Sequence, residues 1–562
     1  MSGKSPSMIA EHVQGASASV REAWHILKTR GPDKLQFWFI ALIIGIAAGF
    51  AALFFRKGIE WLQITLYGTE DIHRLHSFAE TLPWYWILLI PVAGGAVVGL
   101  ILDRFTPDGR VRSVADVIEG AALNEGRVER RAGLASAAAS LITLGSGGST
   151  GREGPVVHLA AVISTWVSRR IAADGITGRD LLGCAVAAAV SASFNAPIAG
   201  ALFALEVVLR HFAVHAFAPI VIASAAGTVI NRLEFGDVTE FVLSEDGVLA
   251  FYVELPAFLL LGLVCGVASV ILMRAMFFAE DVATNLQTRF SIPRMLRPAA
   301  AGLLLGLIAI PFPHIIGVGY ETTSLALTGR MFLYEAIALA VVKTVAVAIT
   351  VGGRMGGGVF SPSLMVGALT GLSFGLVATA LFPEVSGSPT LYALAGMGGV
   401  AAAVLGAPIS TTLIVFELTG DWQTGLAVMV TVSLSTALAS RMVHRSFFLT
   451  QLERRNIHLA AGPQAYLLSM FRVSNVMRKP EDPRAAPDDA LWAAIEEGVT
   501  VEGNATLETA MPLFEQTNRP FIPVVRLGAK GEAPEILGAL FQVDALRAYN
   551  RALAATAAEE HS

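Results

Sequence analysis

The chain is poor in charge. Only 15% of its 562 residues are Asp, Glu, Lys or Arg, where soluble domains average roughly 25%. The deficit is local, because charges are thin from Gln36 to about Ser440, where apolar runs follow one another. That excludes an ordinary soluble fold for this stretch. Cysteine is scarce as well. The two present, Cys184 and Cys265, lie within apolar segments, which speaks against a disulfide framework. There is no basic cluster and the net charge is −5, so nucleic acid is not an expected partner. No metal-ligand spacing and no HExxH occur, so no metal and no cofactor are expected, and a membrane-embedded enzyme finds no support.

What the chain has is apolar length. Phe37–Phe55, Leu88–Leu102, Pro256–Met273, Leu333–Val351 and Leu364–Leu381 each suffice, or nearly so, to cross a bilayer. Ala299–Ile310 and Leu391–Ala403 are too short to span alone, as expected where half-helices meet inside a membrane. The 54 glycines predict close helix packing. Residues 1–35 are polar, carry Lys4, Arg21, Lys28, Arg30 and Lys34, and show no cleavable signal pattern. They read as an arm, helical around Ala18–Leu27. Arg441, Arg445, Arg454 and Arg455 follow the last run. Basic flanks on both sides predict cytoplasmic termini and an even number of crossings. The expected location is the cell inner membrane, in a multi-pass arrangement surrounded by membrane lipid.

One landmark occurs twice. Residues 183–206 read GCAVAAAVSASFNAPIAGALFALE and residues 396–417 read GMGGVAAAVLGAPISTTLIVFE. In both, a glutamate stands nine residues after a proline, Pro197 to Glu206 and Pro408 to Glu417. Both follow a Gly-rich turn ending in proline, at Pro155 and Pro362, by 42 and 46 residues. Such pairing predicts two related membrane halves, about 36–230 and 248–445. A solute or ion site is then expected between them, at helices broken by Gly and Pro. The polar stretch Asn231–Gly247, with Asp237, Glu240, Glu245 and Asp246, separates the halves.

The chemistry sits at the two turns. Gly151-Arg152-Glu153-Gly154-Pro155 opens an apolar segment, and Gly358-Val359-Phe360-Ser361-Pro362 opens its counterpart. Gly followed by Pro marks a helix N-terminus. Its free N–H groups and positive dipole end suit an anion. One helix end contributes roughly 0.3–2 kcal/mol and one hydrogen bond to a charged group about 1.5–3 kcal/mol. Several together offset much of an ion's desolvation while still letting it leave.

GREGP, FNAPIAGALFALE, GVFSP and GAPISTTLIVFE, in this order and spacing, resemble the CLC family of chloride channels and proton/chloride antiporters over about residues 36–450. The resemblance implies an all-α polytopic membrane fold of two inverted-topology repeats, working as a homodimer that moves chloride through each subunit. It makes Glu153 the gate, within the motif residues Gly151, Arg152, Gly154 and Pro155. It assigns chloride contacts to Gly358, Val359 and Phe360. Three departures stand out. Where the family has a serine in a GSGxP element, this chain has Ser113 without the glycines, so Ser113 reads as a chloride ligand or as a plain helix cap. The place of the family's pore tyrosine falls to Phe448, which lacks the hydroxyl and reads equally as packing. Where proton-coupled members carry Glu-Glu, this chain has Glu206-Val207. These departures favour channel-like conduction, with a proton-coupled antiporter as the alternative.

After Arg455 the composition changes. Residues 473–552 read as a small cytoplasmic α/β unit. Strands are expected at Val501–Asn504, Phe521–Val525 and Ile536–Leu540, and helices at Ala505–Gln516 and Val543–Leu553. The order resembles one cystathionine-β-synthase (CBS) motif, with Val473–Met477 as a lead-in strand and Pro480–Gly498 irregular. The resemblance implies pairing across a dimer. Adenine nucleotide binding is doubtful, because Phe541 replaces the Ser/Thr expected three residues before Asp544.

Overall fold

The structure is a computed structural model. It describes residues 34–560 apart from 70, 72–73, 172, 174, 213, 237–240, 242, 244–252, 458, 460–466, 469–470, 504 and 527–533. The N-terminal arm and most of the acidic linker therefore lie outside the described residues.

The first half is built from α1 (Lys34–Tyr67), a short α2 (Leu75–Ala79), α3 (Trp84–Phe105), α4 (Val114–Leu123), α5 (Arg130–Gly145), α6 (Glu153–Arg170), α7 (Gly175–Phe194), α8 (Pro197–Phe203, continued by a π-turn to Leu209) and α9 (Val214–Phe235). Helix α9 runs past the expected boundary at Asn231. The second half repeats the pattern with α10 (Leu255–Arg289), α11 (Arg297–Ala309), α12 (Tyr320–Leu327), α13 (Leu333–Gly352), α14 (Phe360–Leu381), α15 (Pro389–Leu405), α16 (Pro408–Thr419) and α17 (Trp422–Met442). A short α18 (Phe447–Glu453) closes the membrane region.

Among the described residues, seven helices are long and apolar enough to cross a membrane. Helices α6 and α7 are not among them. Helix α7 and its counterpart α15 lie inside, and their compositions show why. Every residue from Leu181 to Phe194 in α7 and from Thr390 to Leu405 in α15 is buried, with Ala and Ser prominent in the first and Ala and Gly in the second. Large apolar residues such as Phe39, Phe54, Leu100 and Leu260 instead point outward. A bilayer is an apolar solvent, so burying them gains little, and close backbone packing takes over as the adhesive. A Cβ on Gly371 would lie 2.1 Å from the Tyr392 carbonyl oxygen, so α14 and α15 touch backbone to backbone only through glycine. Both cysteines are buried and unpaired.

The tail forms a three-stranded sheet in the order β1-β2-β3, with β1 (Val501–Glu502) parallel to β2 (Phe521–Arg526) and β3 (Glu535–Phe541) antiparallel to it. Around it lie α19 (Val473–Val476), α20 (Asp488–Glu496), α21 (Leu507–Thr517) and α22 (Gln542–Glu560). Two expectations need correction. Val473–Val476 is a helical turn, not a strand. Single bridges at Arg472 and Arg478 hold its ends, while the turn aims Val473 and Val476 at one core. Pro480–Gly498 is not irregular throughout, since it contains α20, which buries Leu491 and Ala494.

Candidate functional site

Helices α6 and α14 begin in the same register. Glu153 and Phe360 are each the first helical residue, and Pro155 and Pro362 stand two residues later. There the missing proline N–H costs nothing, because the first four N–H groups of a helix have no partner within it. One offset of 207 residues relates Gly151 to Gly358, Glu153 to Phe360 and Pro155 to Pro362. Gly151 and Gly358 pair as an antiparallel bridge, each N–H donating to the other's carbonyl at 2.7 and 2.6 Å. The Thr150 hydroxyl adds a bond to the Gly358 carbonyl at 2.8 Å. The two halves therefore meet at symmetry-related glycines. Glycine is required here, since a Cβ on Gly358 would stand 2.8 Å from the Gly154 nitrogen.

The bridge sets the two helix N-termini side by side, and the Glu153 carboxylate crosses from one to the other. Its Oε1 accepts from the Ser361 hydroxyl, and its Oε2 lies 3.4 Å from the Ser361 backbone nitrogen. Glu153 is only 3% exposed. Its carboxylate thus sits on the N-terminus of the other half's helix, whose free N–H groups suit an anion. Arg152 turns the other way, donating from Nη2 to the Ser193 carbonyl at 2.9 Å and lying 5.4 Å from the Tyr320 ring.

A cavity of ≈ 80 Å³ brings the candidates together, with Ser113, Glu153, Gly358, Val359, Phe360 and Phe448 all in its wall. Their positions come from four separate elements. Ser113 caps α4, its N–H donating to Asp116 Oδ2 at 2.7 Å. Its hydroxyl lies 3.4 Å from both Asp116 Oδ2 and Gln451 Oε1. It is therefore a cap and a wall residue at once. Phe360 likewise packs its ring against Phe194 and Phe203, at 4.6 and 5.9 Å, while lining the cavity. Phe448 is buried on α18, beside Phe447, which stacks on Phe277 at 5.1 Å.

Other wall residues are not singled out by the motifs. Gln451 follows Phe448 by one helical turn and shares its face, a spacing that a reading of α18 as a helix would have caught. Arg110, Glu280 and Arg354 come from distant parts of the chain, and no local pattern marks them. Arg455, noted in sequence only as a flanking charge, also lines the cavity and pairs with Asp116 at 2.8 Å. Arg112 spans Asp108 at 2.9 Å and Glu129 at 3.3 Å. Burial alone would raise the Asp108 carboxyl, but its contacts with Arg112 and Arg110 outweigh that and hold it below the usual carboxylate value.

The repeated glutamates form a second, reciprocal arrangement. Glu206 accepts from the N–H groups of Ile409 and Ser410 at 2.9 and 2.8 Å, at the start of α16. Glu417 accepts from those of Ile198 and Ala199 at 3.0 and 2.8 Å, at the start of α8. Each half caps the other's half-helix. Gly147-Gly148-Ser149-Thr150-Gly151 fits a GxSxG pattern, but it follows helix α5 rather than a strand, so the context of a nucleophile elbow is missing. Among the described residues no cluster of His, Cys, Asp and Glu is arranged to hold a metal ion. In the tail, Asp544 pairs with Arg478 at 2.6 Å.

Residues 94–440 match the family model described as voltage gated chloride channel. A putative chloride channel protein ClcB-like from Ralstonia nicotianae is 33% identical over 398 residues, covering 70% of this chain and 90% of that protein. The chloride channel protein CLC-f of Arabidopsis thaliana is 30% identical over 73% of this chain, which spans only 54% of that longer protein. Among solved structures, a slow cyanobacterial Cl−/H+ antiporter superposes with a TM-score of 0.66 at 21% identity, covering 75% of this chain and 98% of the other. A eukaryotic CLC transporter gives 0.64 at 18% identity, covering 91% and 98%. At those identities the superpositions speak for the fold alone. Model, relatives and fold agree, and the chain belongs to the CLC family of chloride transport proteins.

Proposed function

We propose that this protein conducts chloride through each subunit of a homodimer, with Glu153 as the gate. One observation carries the reading. The Glu153 carboxylate lies on the N-terminus of α14, in the wall of the cavity that collects Ser113, Gly358, Val359, Phe360 and Phe448. It is a tethered anion at a place built for a free one. Protonation removes its charge and its claim on those donors, so chloride takes its place and acid promotes flux.

The transport is channel-like. Val207 takes no proton, and both oxygens of Glu206 are engaged by α16. The antiporter reading rests on Glu280, a titratable group in the same cavity wall. The deciding experiment is the reversal potential in liposomes under a pH gradient at symmetric chloride. A value near zero supports conduction without coupling. A shift toward the exchange potential rejects it in favour of the antiporter. The homodimer would use the side where Ile198, Ile409 and Trp422 are exposed. The tail at 473–552 would act as a CBS-like unit pairing across that dimer, with both termini cytoplasmic.

A further inference from the structure

A second cavity, a groove of ≈ 480 Å³, lies between α10, α11 and α13. Each helix gives it one stripe, from Ala275 to Leu286 on α10, Arg297 to Leu304 on α11 and Val345 to Gly352 on α13. The spacing within each stripe is that of a single helical face. Alanine and glycine make up much of the floor, so absent side-chain volume creates the groove. Two of the three walls belong to membrane-spanning helices, Leu255–Arg289 and Leu333–Gly352. The lining is almost wholly apolar, so the groove suits hydrocarbon rather than water.

Its length and its charged end narrow the occupant. From Ala275 to Leu286 is eleven residue steps, or ~16 Å of helix. That is about half of a ~30 Å hydrocarbon core, the depth of one leaflet. The groove ends at the turn joining α10 to α11, where Gln287 and Ile292 line it. Arg289 and Arg294 are exposed on that turn. No Asp or Glu occurs between Asp281 and Glu321, and Asp281 pairs with Arg454. Arg297 is committed to the floor, donating to the Gly352 carbonyl at 2.8 Å and to Thr284 and Gln287 at 3.1 Å. Two exposed arginines beside the end of a one-leaflet apolar groove match an anionic lipid headgroup above its acyl chain.

We propose that this groove binds one acyl chain of an anionic phospholipid, with the headgroup phosphate held by Arg289 and Arg294. The site is independent of the anion pathway, so its test does not rely on transport. The purified protein is titrated with phosphatidylglycerol and phosphatidylcholine of equal chain length, and bound lipid per chain is counted by native mass spectrometry. One phosphatidylglycerol per chain is expected, retained about tenfold better than phosphatidylcholine. Ala283→Phe, which fills the groove, should lose both lipids. The doubly exposed pair Arg289→Gln and Arg294→Gln should fold normally and erase the preference between them. Equal retention of the two lipids by the unaltered protein overturns the proposal, as does a preference that survives the arginine substitutions.

Discussion

The molecule places carboxylates on helix N-termini in two regions, and the two differ in symmetry. At α8 and α16 both halves supply a glutamate, and both ends are satisfied by backbone N–H bonds of 2.8–3.0 Å. At α6 and α14 only one half does, since Glu153 faces Phe360 across the bridge. A symmetric pair satisfies every donor it reaches and acts as a lock. An asymmetric one leaves a single carboxylate to serve a place that also suits a mobile anion. On the proposed reading, losing a symmetry-related charge is what separates a gate from a clasp.

The sharpest way to break that comparison is Glu153→Gln. A neutral side chain gives up a charge-assisted bond of about 1.5–3 kcal/mol. Chloride efflux from liposomes at neutral pH should rise by about tenfold and lose most of its pH dependence. A folded variant with an unchanged pH profile would refute the gate.

Glu417→Gln tests the other region and should do the reverse. It weakens the cap on α8, at a cost of about 2 kcal/mol in stability, visible as a lower Tm. The pH profile of flux should not move. If it does, the Glu206 and Glu417 pair is part of the gate rather than a clasp.

Ser361→Ala sharpens the contrast at the centre. It removes the hydroxyl that favours the charged form of Glu153. The gate then protonates more readily, and the acid-activated limb of the flux profile should move to higher pH by about one unit, equivalent to ~1.4 kcal/mol. A shift to lower pH contradicts the placement of that carboxylate.

Ser113→Ala should weaken chloride binding about fivefold in calorimetry, less than one full charged hydrogen bond, because the hydroxyl is shared with Asp116 and Gln451. Unchanged affinity would leave Ser113 as a cap alone. The smallest effect is expected from truncation after about Leu459. Flux should stay within about twofold while dimer stability falls, since the tail has its own core around Val473, Phe514 and Ile522 and so folds apart from the pathway. Abolished flux in a well-folded truncated protein would show that the tail belongs to the pathway.

Much of this was legible in the chain. The repeated Pro-to-Glu spacing announced two halves, and the paired Gly-Pro turns announced two helix starts. The tail's three strands and the helix Leu507–Thr517 lie within a few residues of their patterns, because alternation and helical period are local signals, while the last helix runs on to Glu560, seven residues past its expected end. The missed α20 and the misjudged Val473–Val476 have the same cause: both are short, and what fixes them is the sheet they pack on. Arg110, Glu280 and Arg354 were invisible for another reason. A wall residue contributed by a distant helix leaves no pattern in its own neighbourhood.

By itself the sequence determined the medium and the parts. Low charge and apolar runs require a bilayer, and Gly followed by Pro requires helices that start inside it. Only the tertiary structure decided which carboxylate meets which helix. Nothing in GREGP says that Glu153 lies on Ser361, 208 residues later, or that Glu206 and Glu417 exchange partners. Those pairings arise when two halves of opposite orientation close on a glycine bridge, because the free N–H groups at a helix start belong to whichever acceptor the packing brings there.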